Sequence, residues 1–352
     1  MRKAGDTIKV FKFISGHNHL REGALLRFIV EAEKYYSYLV SMGNLKKATS
    51  TANLVFQHMF EILKAEAKFK TIPALMIVKN TTREIIRDAA AKGIKAIKLL
   101  PGETSVNSEE GISLFNLVSA RGYGLIGEIV RNCMILLIHA ELIKDKCGRM
   151  IDERYRGIKA LPFLEQIMSD FPDLKLVVEH ANDRALLNFV RREHCAGRKV
   201  WATLRPHDTI LTYDDVCDQA GKIINPLNYA NPIAKSEDDR RAAHEAMVGG
   251  EDYFYYGPDC AAHYWYAKLM EYKAGIFIPS VYAIPLVYEI FENAGALRNL
   301  RKFTVDIARE VYGLPEVTEE LTLIRQDQVV PESYYGVPLF LAGKTLKYKI
   351  VE

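Results

Sequence analysis

Short apolar runs recur along this chain, and most are followed by a longer stretch in which apolar residues return every three or four positions. Eight runs can be counted: IKVFKFIS (8–15), YSYLVSM (36–42), ALMIVK (74–79), KAIKLL (95–100), MILLIHA (134–140), LKLVVEH (174–180), KVWATL (199–204) and YFYYG (253–257). Between them lie helix candidates such as LLRFIVEAEKY, TREIIRDAAAKG, RALLNFVRREHCAG and SEDDRRAAHEAMVGG, several of which close on Gly, as helices often do. Strands alternating with crossover helices predict an α/β fold with a parallel sheet, not a bundle or a sandwich. Eight such units predict a (β/α)8 TIM barrel.

Two stretches exceed what a minimal barrel needs: KDKCGRMIDERYRG after the fifth run, and RPHDTILTYDDVCDQAGKIINPLNYANPIAK after the seventh. Long polar loops at one barrel face are commonly functional. The tail from about Val317 carries short apolar pieces, VPLFLAG and LKYKIVE, expected to pack back on the barrel. With 352 residues and no internal repeat, the expectation is one barrel domain spanning 1–352.

Composition narrows the partners. The excess of 47 basic over 44 acidic side chains is too small to argue for nucleic acid or an anionic membrane, which leaves a small-molecule substrate. No run approaches the roughly 18 uninterrupted apolar residues of a spanning helix, and Lys9 and Lys12 break the N-terminal apolar stretch that a signal peptide would need. Five cysteines, odd in number and without a CxxC pair, argue against a disulfide framework or a structural zinc cluster and fit a reducing cytoplasm. Cys260 reads as a bystander thiol.

The candidate chemistry is positional. His17 and His19 follow the first run, Asn44 the second, Lys98 sits in the fourth, His139 and His180 close the fifth and sixth, and Asp259 follows the eighth. In a barrel those strand ends meet on one face. Two histidines one residue apart project to the same side of an extended chain and can grip a divalent metal, although such pairs also occur as ordinary polar residues near turns. For His139 and His180, each taken alone, a hydrogen-bonded structural role is the more frequent outcome, and only their joint placement favours metal binding. Lys98 in an apolar barrel is costly unless paired, snorkelling or neutralised. A second reading is that burial frees its amine to take up carbon dioxide, giving a carbamate with an oxygen for each of two metals. Asp259 could bind a metal and accept a proton from metal-bound water, or be a solvated loop residue.

Taken together, the strings GHNHLREG, SMGNL, KAIKLLPG, LLIHAE, VVEH, WATLRPH, YYGPDCAAH and FLAGKTLKY resemble, in order and over nearly the whole chain, segments of the dihydroorotase family of amidohydrolases, and more closely its shorter bacterial and yeast type. That resemblance implies a binuclear metal centre at the C-terminal face of the strands. His17, His19, carbamylated Lys98 and Asp259 would hold one zinc ion; the same Lys98, with His139 and His180, would hold the other. It implies Arg21, Asn44 and His263 as contacts to a substrate carboxylate, a task suited to the fork of a guanidinium. A surface Arg21 paired with Glu22 or Glu31 is the alternative. The reaction implied is reversible interconversion of N-carbamoyl-L-aspartate with L-dihydroorotate and water in pyrimidine biosynthesis, with Asp259 as catalytic proton carrier.

The surroundings of the ligands depart from the family pattern. Gly16 stands where an aromatic residue is usual, Gly43 replaces a proline, GTDSAPH has become GPDCAAH, and the expected substrate loop reads GETSVNSEEG, with Thr104 and Ser105 as its candidate contacts. Two other functions are therefore weighed. One is a related cyclic-amide hydrolase of the hydantoinase or allantoinase type, against which Arg21, Asn44 and His263 argue. The other is a catalytically silent partner subunit, against which the intact ligand set argues. Barrel enzymes of this kind are often homodimers, although no segment here identifies an interface.

Overall fold

The computed structural model describes residues 5–102 and 107–351. A nine-stranded parallel sheet curls into the barrel. Its strands are β2 (Ile14–His19), β3 (Tyr38–Ser41), β4 (Lys70–Met76), β5 (Ala96–Leu99), β6 (Ile135–His139), β7 (Lys175–Glu179), β8 (Val200–Leu204), β9 (Phe254–Tyr256) and the two-residue β10 (Cys260–Ala261). The chain leaving β9 closes the ring, because Cys260 and Ala261 pair in parallel with Asn18 and His19 of β2. Around it run α1 (Gly23–Ala32), α2 (Ala52–Lys64), α3 (Arg83–Ala91), α4 (Leu114–Leu117), α5 (Ala120–Arg131), α6 (Arg156–Asp170), α7 (Arg184–Cys195), α8 (Glu237–Val248), α9 (Trp265–Leu269), α10 (Ser280–Asn293) and α11 (Ile307–Tyr312). This is the α/β barrel that the alternating pattern predicts. Among the described residues no helix is long and apolar enough to cross a membrane.

Two strands sit differently from expectation. The run 8–15 divides at Lys12–Phe13. Its first half is β1 (Thr7–Phe11), which pairs antiparallel with β11 (Glu320–Val329), itself paired with β14 (Thr345–Val351) in a separate three-stranded sheet. The barrel strand starts only at Ile14, so His17 and His19 lie within β2 and do not follow it. The third strand begins at Lys70 instead of 74 and contains Pro73. A proline is tolerated there because pairing to β3 ends at Pro73 and pairing to β5 begins at Ala74, so its missing N–H interrupts little. Past β11, the hairpin of β12 (Ser333–Tyr334) and β13 (Val337–Pro338) sets Tyr334 against Phe28 of α1, and the strand β14 lies over α10, with Tyr348 stacked edge-on against Tyr288. Leu339, Phe340 and Ile350 are buried in the main core.

Alternation along the strands separates two apolar regions. Ile97, Leu136, Ile138, Leu176, Val178 and Ala202 face the helices. Ala96, Ile135, Leu137, Val177, Trp201 and Tyr255 belong to the other cluster, which fills the barrel interior. Both faces of β5, β6 and β8 are buried, the usual state of a parallel sheet flanked by helices.

Candidate metal centre

Continuing the inward set by two residues on each strand gives Lys98 after Ala96, His139 after Leu137, and Glu179 after Val177. Two local irregularities bring in the rest. The β2–β3 register shifts between Ser15 and Asn18, a bulge that moves His17 and His19 to the inner face and turns Asn18 outward. His180 is out of phase with Glu179, yet its backbone adopts φ +42°, which swings the imidazole toward the axis while its N–H donates to Thr203 Oγ1 at 2.7 Å. Asp259 (φ +53°) and Arg21 (φ +57°) share this left-handed conformation, which costs non-glycine residues about 1–3 kcal/mol and concentrates at functional sites.

The result is a compact cavity at the C-terminal ends of the strands, lined by His17, His19, Arg21, Asn44, Lys98, His139, His180, Asn231 and Asp259. His17 Nε2 and His19 Nε2 stand 3.3 Å apart, and Asp259 Oδ1 is 3.3 Å from the first and 3.1 Å from the second. His180 packs against both His17 and His139, with ring centroids 5.1 and 4.5 Å apart, and its buried Nδ1 has no hydrogen-bond partner. Lys98, only 1% exposed, contacts Glu179 through Nζ. Three donors of one group (His17, His19, Asp259) and three of another (His17, Glu179, His180) each lie within 4.8 Å of one another, spacing that suits a cation.

The protonation states agree with ligation. Burial lowers His17, His19, His139 and His180, most strongly His17 and His180, so the rings are neutral and present lone pairs. His139 Nε2 donates to Glu141 Oε2 at 2.8 Å, leaving Nδ1 for the cavity, whereas His17 Nδ1 stands 2.9 Å from Glu179 Oε1 without a hydrogen bond between them. Burial pushes the Lys98 ammonium down to about 7, opposed by the Asp259 carboxylate. For Asp259 itself burial acts upward, but His17, His19 and His180 outweigh it and hold the carboxyl well below its usual range.

Arg21 projects beside this cluster, where its Nη2 donates to His263 Nε2 at 3.0 Å and its Nε to the Ala262 carbonyl at 3.3 Å. It is therefore not a surface arginine paired with Glu22 or Glu31. Asn44 is buried at the same rim, and burial lowers His263, with Arg21 as the next cause. Thr104 and Ser105 lie outside the described residues. Three buried charged groups escaped the sequence reading. Glu179 was discoverable from the two-residue period, Glu141 from its place two residues after His139, and Arg205 only from its three-dimensional partners.

The structure also explains two departures. A Cβ on Gly16 would come within 2.5 Å of the Tyr255 ring and 2.8 Å of the Tyr256 carbonyl, so the space of an aromatic side chain here is filled from β9. A Cβ on Gly43 would meet Thr49 Oγ1 at 2.1 Å, which excludes proline.

Comparison with known proteins places this arrangement. No family model matches the chain. The mitochondrial dihydroorotase of Arabidopsis thaliana is 32% identical over 345 residues, covering 95% of this chain and 88% of the relative. The chain belongs to the dihydroorotase family. The dihydroorotase of Saccharomyces cerevisiae, solved with 5-fluoroorotic acid, superposes with a TM-score of 0.88 at 26% identity over 98% of both chains. The Campylobacter jejuni dihydroorotase gives 0.86 at 26% identity over 100% of this chain and 99% of that one. An L-hydantoinase from Arthrobacter aurescens shares the fold at 15% identity, with a TM-score of 0.78 over 98% of this chain and 83% of that one. Dihydroorotases are metal-dependent hydrolases of a cyclic amide C–N bond in pyrimidine biosynthesis, and this chain is one of that class.

Proposed function

We propose that the chain opens and closes the ring of L-dihydroorotate, interconverting it with N-carbamoyl-L-aspartate and water, on two zinc ions bridged by carbamylated Lys98. The observation that carries this reading is the burial of a lysine amine, near neutrality, among four neutral imidazoles and the carboxylates of Asp259 and Glu179. His17, His19, Lys98 and Asp259 would hold one ion; Lys98, His139 and His180 would hold the other. The donor set fits, since the buried nitrogens His17 Nδ1 and His180 Nδ1 have no hydrogen-bond partner and Glu141 fixes the tautomer of His139. When bound, the ions supply Lewis acidity to the ring carbonyl and acidify water.

The remaining steps belong to the chain. Arg21, Asn44 and His263 orient the ring by its carboxylate, which a hydantoin lacks. Asp259, with Oδ1 directed at the imidazole pair, takes the proton of the attacking water and returns it to the departing ring nitrogen. The test is metal analysis with a dihydroorotate assay. About two zinc per chain and chelator-sensitive turnover support the reading. Metal with turnover of hydantoin alone, or a chain that takes up no metal, overturns it.

A further inference from the structure

Arg205, at the end of β8, has no part in the roles above, although it is the largest fully buried side chain among the described residues. Its five N–H groups are all engaged. Nε and Nη2 grip Asp208 at 2.6 and 2.8 Å, Nη2 also donates to the Pro232 carbonyl at 2.8 Å, and Nη1 donates to the Asn231 carbonyl at 3.2 Å and to Asp259 Oδ2 at 3.1 Å. A guanidinium has five such donors in one rigid plane, so satisfying all of them fixes its orientation. Asp208 is held in turn by Asn182 Nδ2 at 3.2 Å.

The two oxygens of Asp259 are thereby assigned to different partners. Oδ1 faces His17 and His19, and Oδ2 faces Arg205. The residue itself sits in a left-handed backbone conformation, held from outside its segment by the bond from its backbone N–H to the His17 carbonyl at 3.1 Å. On its other side the same guanidinium ties down Asn231, which walls the cavity.

We propose that Arg205 is a positioning residue: it locks the Asp259 carboxylate with Oδ1 toward the imidazole pair and couples that orientation to the Asn231–Pro232 wall. The proposal rests on Asp259 acting as ligand and proton carrier. Arg205 does not touch substrate; it acts through Asp259.

The test uses the full zinc-loaded chain carrying Arg205→Met together with Asp208→Asn, which avoids leaving a buried carboxylate unpaired, and separately Arg205→Lys and Arg205→Ala. Partners that orient a metal ligand are typically worth about 10–100-fold in activity or metal affinity, so the double variant should lose about that much kcat with KM within about threefold. It should bind the same zinc at saturation but release it to a chelator about tenfold faster. Arg205→Lys should recover little, because one ammonium cannot span Asp259, Asp208 and two carbonyls. Guanidinium ion should partly restore Arg205→Ala, and methylammonium should not. The proposal is overturned if kcat and zinc release stay within about twofold of the parent, or if lysine substitutes fully. A parent chain that binds zinc but does not turn over dihydroorotate refutes the functional reading alone, and the zinc-release comparison still decides the role of Arg205.

Discussion

Reloading of a metal-stripped chain should depend on carbon dioxide, with a pH midpoint set by Lys98. Only the free amine captures carbon dioxide. With its pKa lowered from 10.5 to about 7, Lys98 is about half amine at pH 7, whereas an ordinary lysine would be about one part in 3,000, a gain on the order of 10^3. At pH 6 the amine falls to about a tenth, and above pH 8 nearly all of Lys98 is amine. The assay removes metal with a chelator and carbon dioxide by degassing. Zinc is then added with and without bicarbonate across pH 6–10, following recovery of activity and a carbamate signal from labelled carbon dioxide. At a fixed concentration of dissolved carbon dioxide, the bicarbonate-dependent part of the rate should climb about fivefold from pH 6 to 7 and level off near pH 8. Lys98→Ala should show no such part. Glu179 touches the same nitrogen and would favour the ammonium. If it prevails, the rate keeps rising through pH 9, and that result, or reloading indifferent to carbon dioxide, refutes the reasoning.

Other outcomes are expected. Asp259→Ala should lower kcat by about 10^2–10^4-fold, the range for a general acid–base group, and activity within threefold of the parent would remove Asp259 from its role. Ring closure consumes a proton, so the equilibrium ratio of dihydroorotate to carbamoyl aspartate should fall about tenfold per unit of rising pH; a ratio constant between about pH 6 and 8.5 would contradict the assigned reaction. Glu33 is fully buried and pushed up from 4.5 to about 8 by desolvation, so the folded chain holds a proton that the unfolded chain has released between those values. Its contribution therefore falls as pH rises through that window, by at most about 5 kcal/mol, and Glu33→Gln should flatten the pH dependence of denaturation of the metal-free chain. Gly16→Ala should cost about 1–3 kcal/mol by overpacking, read as a lowered denaturation midpoint, because the Tyr256 carbonyl cannot move away without breaking the barrel.

The alternation of apolar runs and helical periodicity determined the α/β barrel, because burying both faces of parallel strands demands those residues whatever their partners. It also marked the proposed ligands, since His17, His19, Lys98, His139, His180 and Asp259 would be costly in or beside apolar strands without a shared use. Only the tertiary structure decided which sheet each half of 8–15 joins, because a two-residue period describes a strand and not its neighbour. It alone decided the facing of His180 and of the His17–His19 pair, through a left-handed residue and a bulge that shift the phase. The use of Glu179 and Arg205 was hidden for a related reason. A buried charge is stabilised by partners that folding brings in, here from β2, β5, the segment between β9 and β10, and a loop more than twenty residues along, and no local pattern encodes them.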